Sequence, residues 1–146
     1  MKKRFMTLLA FLAIGITVSM AAERADVDPK ILSAFQKEFS FAKNVKWEVK
    51  GDLTQANFLV NDQGVVALYN SDAELVTTAR NILYNQLPIS VIRSLEKDYT
   101  DATLCGIAEI TRDNETFYQI RADKKNRTLL LKASPSGNIT VMKKIK

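Results

Sequence analysis

The chain has 146 residues, with 21 Lys and Arg against 16 Asp and Glu, no His and a single Cys. This length favours one domain over two. Without His there can be no Ser-His-Asp triad, no Cys-His pair and no HExxH zinc site, and one Cys excludes an internal disulfide framework. The composition is typical of a small binding module, and we therefore predict no enzyme activity, no cofactor and no metal site.

The segment over 1–21 has the three parts of a secretory signal peptide. Residues 1–4 are basic, 5–20 are mostly apolar, and Ser19 and Ala21 are small residues at the positions that signal peptidase recognises. An uncleaved anchor helix is the alternative, but a membrane span needs roughly 20 apolar residues and this run is shorter. We predict cleavage, export to the periplasm or outside the cell, no lipid anchor, and no stable membrane insertion of the mature chain.

The chain after the signal begins with a predicted helix. Asp28 can cap free backbone amides, and Pro29 is well tolerated at the first helical position. Apolar residues at helical spacing extend to Phe39, and the helix should end near Ser40. Turn residues then separate four strand-like runs, at 45–49, 53–60, 65–69 and 75–78.

A similar order of elements follows in the second half of the chain. Pro88 begins an amphipathic segment that predicts a helix to about Tyr99. The segment at 79–86 before it fits either a strand end or a helical turn. Four more strand-like runs lie at 105–110, 116–122, 127–133 and 139–142.

An internal duplication would explain this order. Pro29 matches Pro88 at an offset of 59, Phe58 matches Tyr118 at an offset of 60, and Leu68 matches Leu131 at an offset of 63. We predict an α+β fold, a tandem repeat of one helix plus an antiparallel meander of three to four strands, with both helices on one face of the sheet. The two repeats would cover about 28–80 and 87–144 in a single domain over 22–146.

Short motifs along the mature chain resemble the PepSY-like secreted proteins of Bacteroidetes. They are Asn-Val-Lys-Trp-Glu at 44–48, the strand with Phe58 that ends in Asn-Asp-Gln-Gly at 61–64, Ala-Leu-Tyr at 67–69, the helix start at Leu87-Pro88 and the strand with Tyr118. Ala73 departs from the pattern, since the family more often has Gly at this turn. These proteins are also described as beta-lactamase-inhibitor-like, because their tandem fold is similar to that of a beta-lactamase inhibitory protein. The resemblance implies PepSY-like repeats and this fold, and a shared fold does not establish function.

Two patterns that could carry chemistry are incomplete. Ser94 and Lys97 form the S-x-x-K string of serine penicillin-recognising enzymes, but the K-T-G and S-D-N elements of those enzymes do not occur in the sequence. The carboxylates form small groups without the spacing of an EF-hand, and most of them lie where turns and helix ends favour Asp. We interpret the first pattern as a solvated helix face and the second as turn chemistry.

Two further side chains are interpreted as structural. Cys105 lies among apolar residues, which predicts a buried and inert thiol. Trp47 alternates with Val45 and Val49, which predicts packing under a helix.

The positive charge gives little support to a nucleic-acid partner. The signal segment carries three of the positive charges, so the mature chain has 18 Lys and Arg against 16 Asp and Glu. No stacked aromatic platform accompanies the lysine clusters. We therefore predict no nucleic-acid binding.

The face of the sheet without helices remains as the functional surface. If Phe58 and Tyr118 point toward the helices, alternation places their neighbours, including Leu59, on the opposite face. We predict that this face binds a protein partner, although an ordinary solvated sheet is the alternative and a register error of one residue would invert the assignment. The predicted binding residues are Gln55, Asn57, Tyr69, Phe117, Gln119, Arg121 and Lys132.

The sequence thus predicts an exported, non-catalytic binding module. It would act as an inhibitor or a sensor of an envelope or secreted protein, by rigid docking of the open sheet face. Two alternatives stay open. One is a periplasmic binder of a small ligand or metal ion in the cleft between the repeats, and the other is a structural envelope component that pairs through exposed sheet edges.

Overall fold

The computed structural model describes residues 26–145, so the predicted signal peptide and its cleavage site lie outside the described part of the chain. Within this range the chain forms two α-helices and eight strands. The helices are α1 (Pro29–Glu38) and α2 (Ile89–Asp98), and a 3-10 turn at Tyr84–Gln86 precedes α2. The strands are β1 (Lys43–Lys50), β2 (Leu53–Val60), β3 (Gln63–Tyr69), β4 (Leu75–Asn81), β5 (Thr103–Arg112), β6 (Glu115–Lys124), β7 (Arg127–Ala133) and β8 (Ile139–Ile145).

All eight strands belong to one antiparallel sheet with the strand order β1 to β8. Neighbours in the chain are therefore neighbours in the sheet, and α2 lies in the connection between β4 and β5. These two strands pair directly, from Thr77 opposite Arg112 to Asn81 opposite Ala108, which joins the two halves of the chain in one continuous sheet. The predicted α+β class is confirmed, and four strands follow each helix. The origin of the two halves by duplication stays a prediction.

Both helices begin where the sequence has a proline. Asp28 caps α1, since its Oδ1 accepts a hydrogen bond from the backbone amide of Lys30 at 2.8 Å, and Pro29 is the first residue of the helix. α2 begins directly after Pro88, without a side-chain cap. The ambiguous segment 79–86 contains the last residues of β4 and the 3-10 turn.

One row of paired residues shows that both helices cover the same face of the sheet. Phe58, Val65, Arg80, Glu109 and Tyr118 lie opposite one another in successive strands from β2 to β6. Their side chains therefore share a face. Phe58 packs in the cluster under α1, and Tyr118 packs in the cluster under α2. The predicted orientation of these two aromatic residues toward the helices is confirmed.

Two hydrophobic clusters hold the helices on this face. The ring of Phe35 from α1 lies edge-on to Trp47 and to Phe58, with 5.0 Å between the ring centroids in each pair. This contact confirms that Trp47 packs under a helix. Val91 and Leu95 are the buried residues of α2. Their cluster includes Ile120, Ala122, Leu129 and Leu131 from β6 and β7.

Tyr69 lies in the cluster under α1, and its predicted position on the opposite face is wrong. Its side chain is fully buried, and its ring centroid lies 6.5 Å from that of Phe35. The prediction aligned Leu68 with Leu131, but Leu131 is buried under α2 whereas Leu68 pairs with Gln55 on the other face. The alignment of the two halves is therefore shifted by one residue at this strand. Such a shift moves a side chain to the other face of a sheet.

Candidate functional site

The face opposite the helices, which we call the helix-free face, carries a strip of buried apolar side chains. This apolar strip consists of Val66, Ala79, Ala108, Ile110 and Phe117. Its members are between 2% and 8% exposed. Four of them pair across β3 to β6 in one row that continues to Asn57 in β2. The helix-free face thus has an apolar centre of its own, separate from the two clusters under the helices.

Side-chain amides lie beside the apolar strip. Gln55 is only 7% exposed; its Nε2 donates to Oδ1 of Asn57 at 2.9 Å, and its Oε1 accepts from Nζ of Lys50 at 2.9 Å. Gln119 on β6 is 9% exposed and lies opposite Lys132. Amides carry both donors and acceptors without a net charge. They can therefore pair with a partner at a smaller desolvation cost than charged groups.

Two cations, Lys132 and Arg112, lie near Phe117 at one end of the apolar strip. Nζ of Lys132 is 4.3 Å from the centroid of the Phe117 ring, which is cation–π distance. Nε of Arg112 donates to Oγ1 of Thr77 at 3.1 Å, which links β5 to β4. A shallow depression of about 120 Å³ is lined here by Arg112, Asp113, Glu115, Phe117, Lys132 and Met142.

Asp123 lies at the centre of a polar cluster near the C-terminal end of β6. Its Oδ1 accepts from Nε of Arg121 at 3.0 Å and from Oγ1 of Thr128 at 2.7 Å, and its Oδ2 accepts from Sγ of Cys105 at 3.4 Å. The hydrogen bonds from Thr128 and Arg121 hold the pKa of Asp123 below its usual value. Burial, followed by the neighbouring Asp123 carboxylate, raises the pKa of the Cys105 thiol. This thiol therefore favours its protonated, less reactive form.

The predicted burial of Cys105 is wrong, because the residue lies half-buried on the helix-free face opposite Arg121. The pairing of β5 with β6 is irregular between Cys105 and Ala108, and Gly106 in this segment has a φ of 56°. A bulge changes which residues share a face. The isolated Gly106 is the sequence signal that could have indicated it.

Six of the seven residues predicted for the binding face lie on the helix-free face. They are Gln55, Asn57, Phe117, Gln119, Arg121 and Lys132. Their exposure differs, since Phe117 is buried whereas Arg121 and Lys132 are exposed. Sequence reasoning missed Thr77 and Arg112, which meet across the pairing of β4 with β5. That pairing joins the two halves and has no counterpart inside one repeat, so the repeat pattern could not predict it.

The helix-covered face has a second shallow depression, of about 160 Å³, lined by side chains that include Val65 and Thr111. Nε of Arg80 and Oε1 of Glu109 form an ion pair of 2.7 Å at this place, where β4 meets β5. Both depressions are smaller than the roughly 300 Å³ of a typical small-molecule pocket. Within 26–145, no group of three or more potential His, Cys, Asp or Glu metal ligands occurs.

The S-x-x-K residues lie on α2. Oγ of Ser94 donates to the carbonyl oxygen of Ser90 at 3.2 Å, one turn earlier, and Lys97 is exposed. The hydroxyl is therefore hydrogen-bonded within its own helix. In the described part of the chain, neither helix has the length and apolar character that a membrane span requires.

The chain matches no protein-family model and no curated protein. It is similar to several solved structures from Bacteroides. A BLIP-like protein from Bacteroides fragilis NCTC 9343 is 21% identical, with a TM-score of 0.73 over 80% of this chain and 85% of that one. A DUF2874 family protein from Bacteroides uniformis ATCC 8492 is 14% identical, with a TM-score of 0.73 over 81% and 88%. A protein described as periplasmic from Bacteroides eggerthii DSM 20697 is 16% identical, with a TM-score of 0.72 over 81% and 87%. The chain therefore has the fold of these BLIP-like and DUF2874 proteins of Bacteroides.

Proposed function

We propose that the protein is an exported, non-catalytic binding module that docks a protein of the cell envelope on its helix-free face. The apolar strip is the observation that carries this proposal, because its five apolar side chains lie on the face opposite α1 and α2. Protein interfaces combine an apolar centre with a polar rim. The strip and the amides beside it have this arrangement.

The residue types at the Phe117 end also fit an interface. Aromatic and Arg side chains are enriched among the residues that dominate binding free energies. The ring of Phe117 lies beneath Lys132, and Arg112 is held in place by its hydrogen bond to Thr77. An interface centred here would cover two oriented cations, one of which lies over a buried aromatic ring.

The export part of the proposal is supported by the signal-like composition of 1–21. A similar fold in a protein described as periplasmic and in one described as BLIP-like agrees with an envelope role and with inhibition or sensing of another protein. The PepSY-like tandem repeat belongs to the same proposal. It rests on the order of one helix and four strands in each half.

Two other functions remain less supported. A small ligand or metal ion would have to bind over the ion pair of Arg80 and Glu109, in a depression of about 160 Å³. A structural envelope component would pair through the edge strands β1 and β8. β1 has an irregular register between Lys43 and Lys46, and bulges with edge lysines oppose such pairing.

Photo-cross-linking in the envelope tests the docking face. Benzoylphenylalanine is placed at Asn57 or Thr140 on the helix-free face, and at Gln36 on α1 or Glu96 on α2 as matched controls. We expect an adduct with one protein from the first two positions and none from the helices. The same adduct from the helix positions alone would contradict the proposal.

A further inference from the structure

We infer that the partner docked on the helix-free face presents an acidic protein surface to it. This inference rests on the proposed function and adds the chemistry of the partner. It is carried by the distribution of charge between the two faces of the sheet. The register of the strands assigns each charged side chain to a face.

The helix-free face is strongly cationic. By the strand register, this face holds seven Lys and Arg residues and three acidic residues, which gives it a net charge of +4. The cations are Lys43, Lys46, Lys50, Arg112, Arg121, Lys132 and Lys143. The acidic residues are Glu48, Glu115 and Asp123.

The remainder of the molecule has the opposite sign. Residues 26–145 include 16 Lys and Arg and 15 Asp and Glu, a net charge of +1. With +4 on the helix-free face, all other described residues together carry −3. The protein is therefore nearly neutral as a whole but has a positive face. Such a separation orients an incoming partner through its electrostatic field.

Two of the three acidic residues of this face already have cationic partners. Glu48 Oε2 lies 2.9 Å from Nζ of Lys50, and Asp123 Oδ1 lies 3.0 Å from Nε of Arg121. Lys132 is instead placed over the Phe117 ring, and Nε of Arg112 donates to Thr77. Both cations keep donors for a partner carboxylate, because an ammonium has three N–H groups and a guanidinium has five.

A protein surface fits this face better than a lipid bilayer does. The apolar strip is at most 8% exposed, so other side chains of this face cover it. The depression of about 120 Å³ at its Phe117 end can admit a projecting side chain of a protein, whereas the plane of lipid headgroups would contact only the exposed cations around it. We therefore assign the positive face to an acidic protein segment, and binding to anionic vesicles alone would contradict the assignment.

The experiment uses the exported chain, purified from the periplasm, labelled with 15N and titrated with a peptide of 12 glutamates. We expect shifts of amide resonances in β1, β2 and β5 to β8 that exceed those in α1 and α2, and loss of binding at 1 M salt, where the Debye length is about 3 Å. A matching lysine peptide and vesicles of phosphatidylglycerol are the comparison probes. Equal shifts in the helices, or binding to the vesicles but not to the glutamate peptide, would overturn the inference.

A pair of charge-matched variants sharpens this test. The variant with Arg112→Gln, Arg121→Gln and Lys132→Gln loses three cations from the helix-free face. The control with Lys30→Gln, Lys37→Gln and Lys97→Gln loses three from the helices. We expect about tenfold weaker peptide binding in the first variant and little change in the second, since an exposed ion pair contributes a factor of about two to five. A larger loss of peptide binding in the helix control than in the first variant would overturn the inference.

A second variant allows the same test if the triple variant on the helix-free face fails to fold. The double variant Lys46→Gln, Lys132→Gln removes two exposed cations. We expect it to bind the glutamate peptide more weakly than the wild type does, with a smaller loss than in the triple variant. The cross-linking positions Asn57 and Thr140 are uncharged, so that experiment does not depend on the partner's charge. If a partner cross-links at these positions but the glutamate peptide does not bind, the inference of an acidic partner surface is wrong, and the proposed docking face is still supported. Cross-links from the helices alone would remove both.

Discussion

The Tyr69 hydroxyl is buried under α1 and makes no hydrogen bond to another described residue. Burial, and secondarily the charge of Glu38, raises the pKa of Tyr69 to about 12. In an unfolded chain a tyrosine titrates near 10. Because the folded pKa is the higher one, the unfolded state loses its proton first, and stability falls as the pH rises from about 10 to 12.

We expect Tyr69→Phe to reduce this alkaline loss of stability. A difference of two pKa units corresponds to about 3 kcal/mol over the whole window. Below pH 9 the variant should be as stable as the wild type or more stable, because no hydrogen bond to the protein is lost. Urea unfolding at several pH values between 8 and 11.5 measures the slope. An unchanged slope in the variant would show that Tyr69 titrates normally.

Ala73 has a φ of 62°, in the left-handed region that favours glycine. The other described non-glycine residues with positive φ are Asn and Asp, which tolerate this region better. We expect Ala73→Gly to raise the free energy of unfolding by about 0.5–1 kcal/mol, because it removes the strain of a Cβ there. Ala67→Gly is the control in a buried strand and should destabilise. A loss of stability in Ala73→Gly would show that the methyl contact with the α1 cluster outweighs the strain.

At the scale of elements, α2 is held by the turn between β7 and β8. Oγ of Ser90 donates to the carbonyl oxygen of Pro135 at 2.5 Å. A Cβ at Gly137 would lie 2.6 Å from the carbonyl oxygen of Ser90, and Gly137 has a φ of 93°. The turn can therefore approach the helix only with glycine at this position.

We expect Gly137→Ala to lower the free energy of unfolding by about 2–4 kcal/mol, through the clash with α2 and the strained backbone. Gly64→Ala is the matched control, since a Cβ there meets no atom within 4 Å. Its effect should be within about 0.5 kcal/mol of zero. Denaturant unfolding of both variants compares them. Equal effects would contradict the close contact between the turn and α2.

The elements themselves could be predicted because their signals are local. Asp28 with Pro29 begins α1, and alternating residues such as Trp47 define a strand with one buried face. The face of Tyr69 follows regular alternation with Val65 and Ala67 along β3, and its prediction is wrong because the alignment of the two halves is shifted by one residue at this strand. The face of Cys105 could not be predicted by alternation, since the pairing of β5 with β6 is irregular after Cys105. Such an irregularity depends on contacts between strands.

At the scale of the whole molecule, the positive face arises from strands that are far apart in the chain. Its cations extend from Lys43 on β1 to Lys143 on β8. Apart from Lys143, which adjoins Lys144, its cations are scattered along the sequence, and the net charge of the described chain is only +1. The apolar strip has the same origin, because it crosses from β3 to β6 through the junction of the two halves. Only the register across the complete sheet brings these residues together.

We propose the helix-free face as the docking surface of the protein. The cross-linking yield at Asn57 and Thr140, divided by the yield at Gln36 and Glu96, tests it most directly, because all four positions are compared in the same folded protein. We predict a high ratio for one partner and its loss when an excess of unmodified protein competes. A ratio at or below one would contradict the claim, because the partner would then contact the helices at least as closely as the sheet.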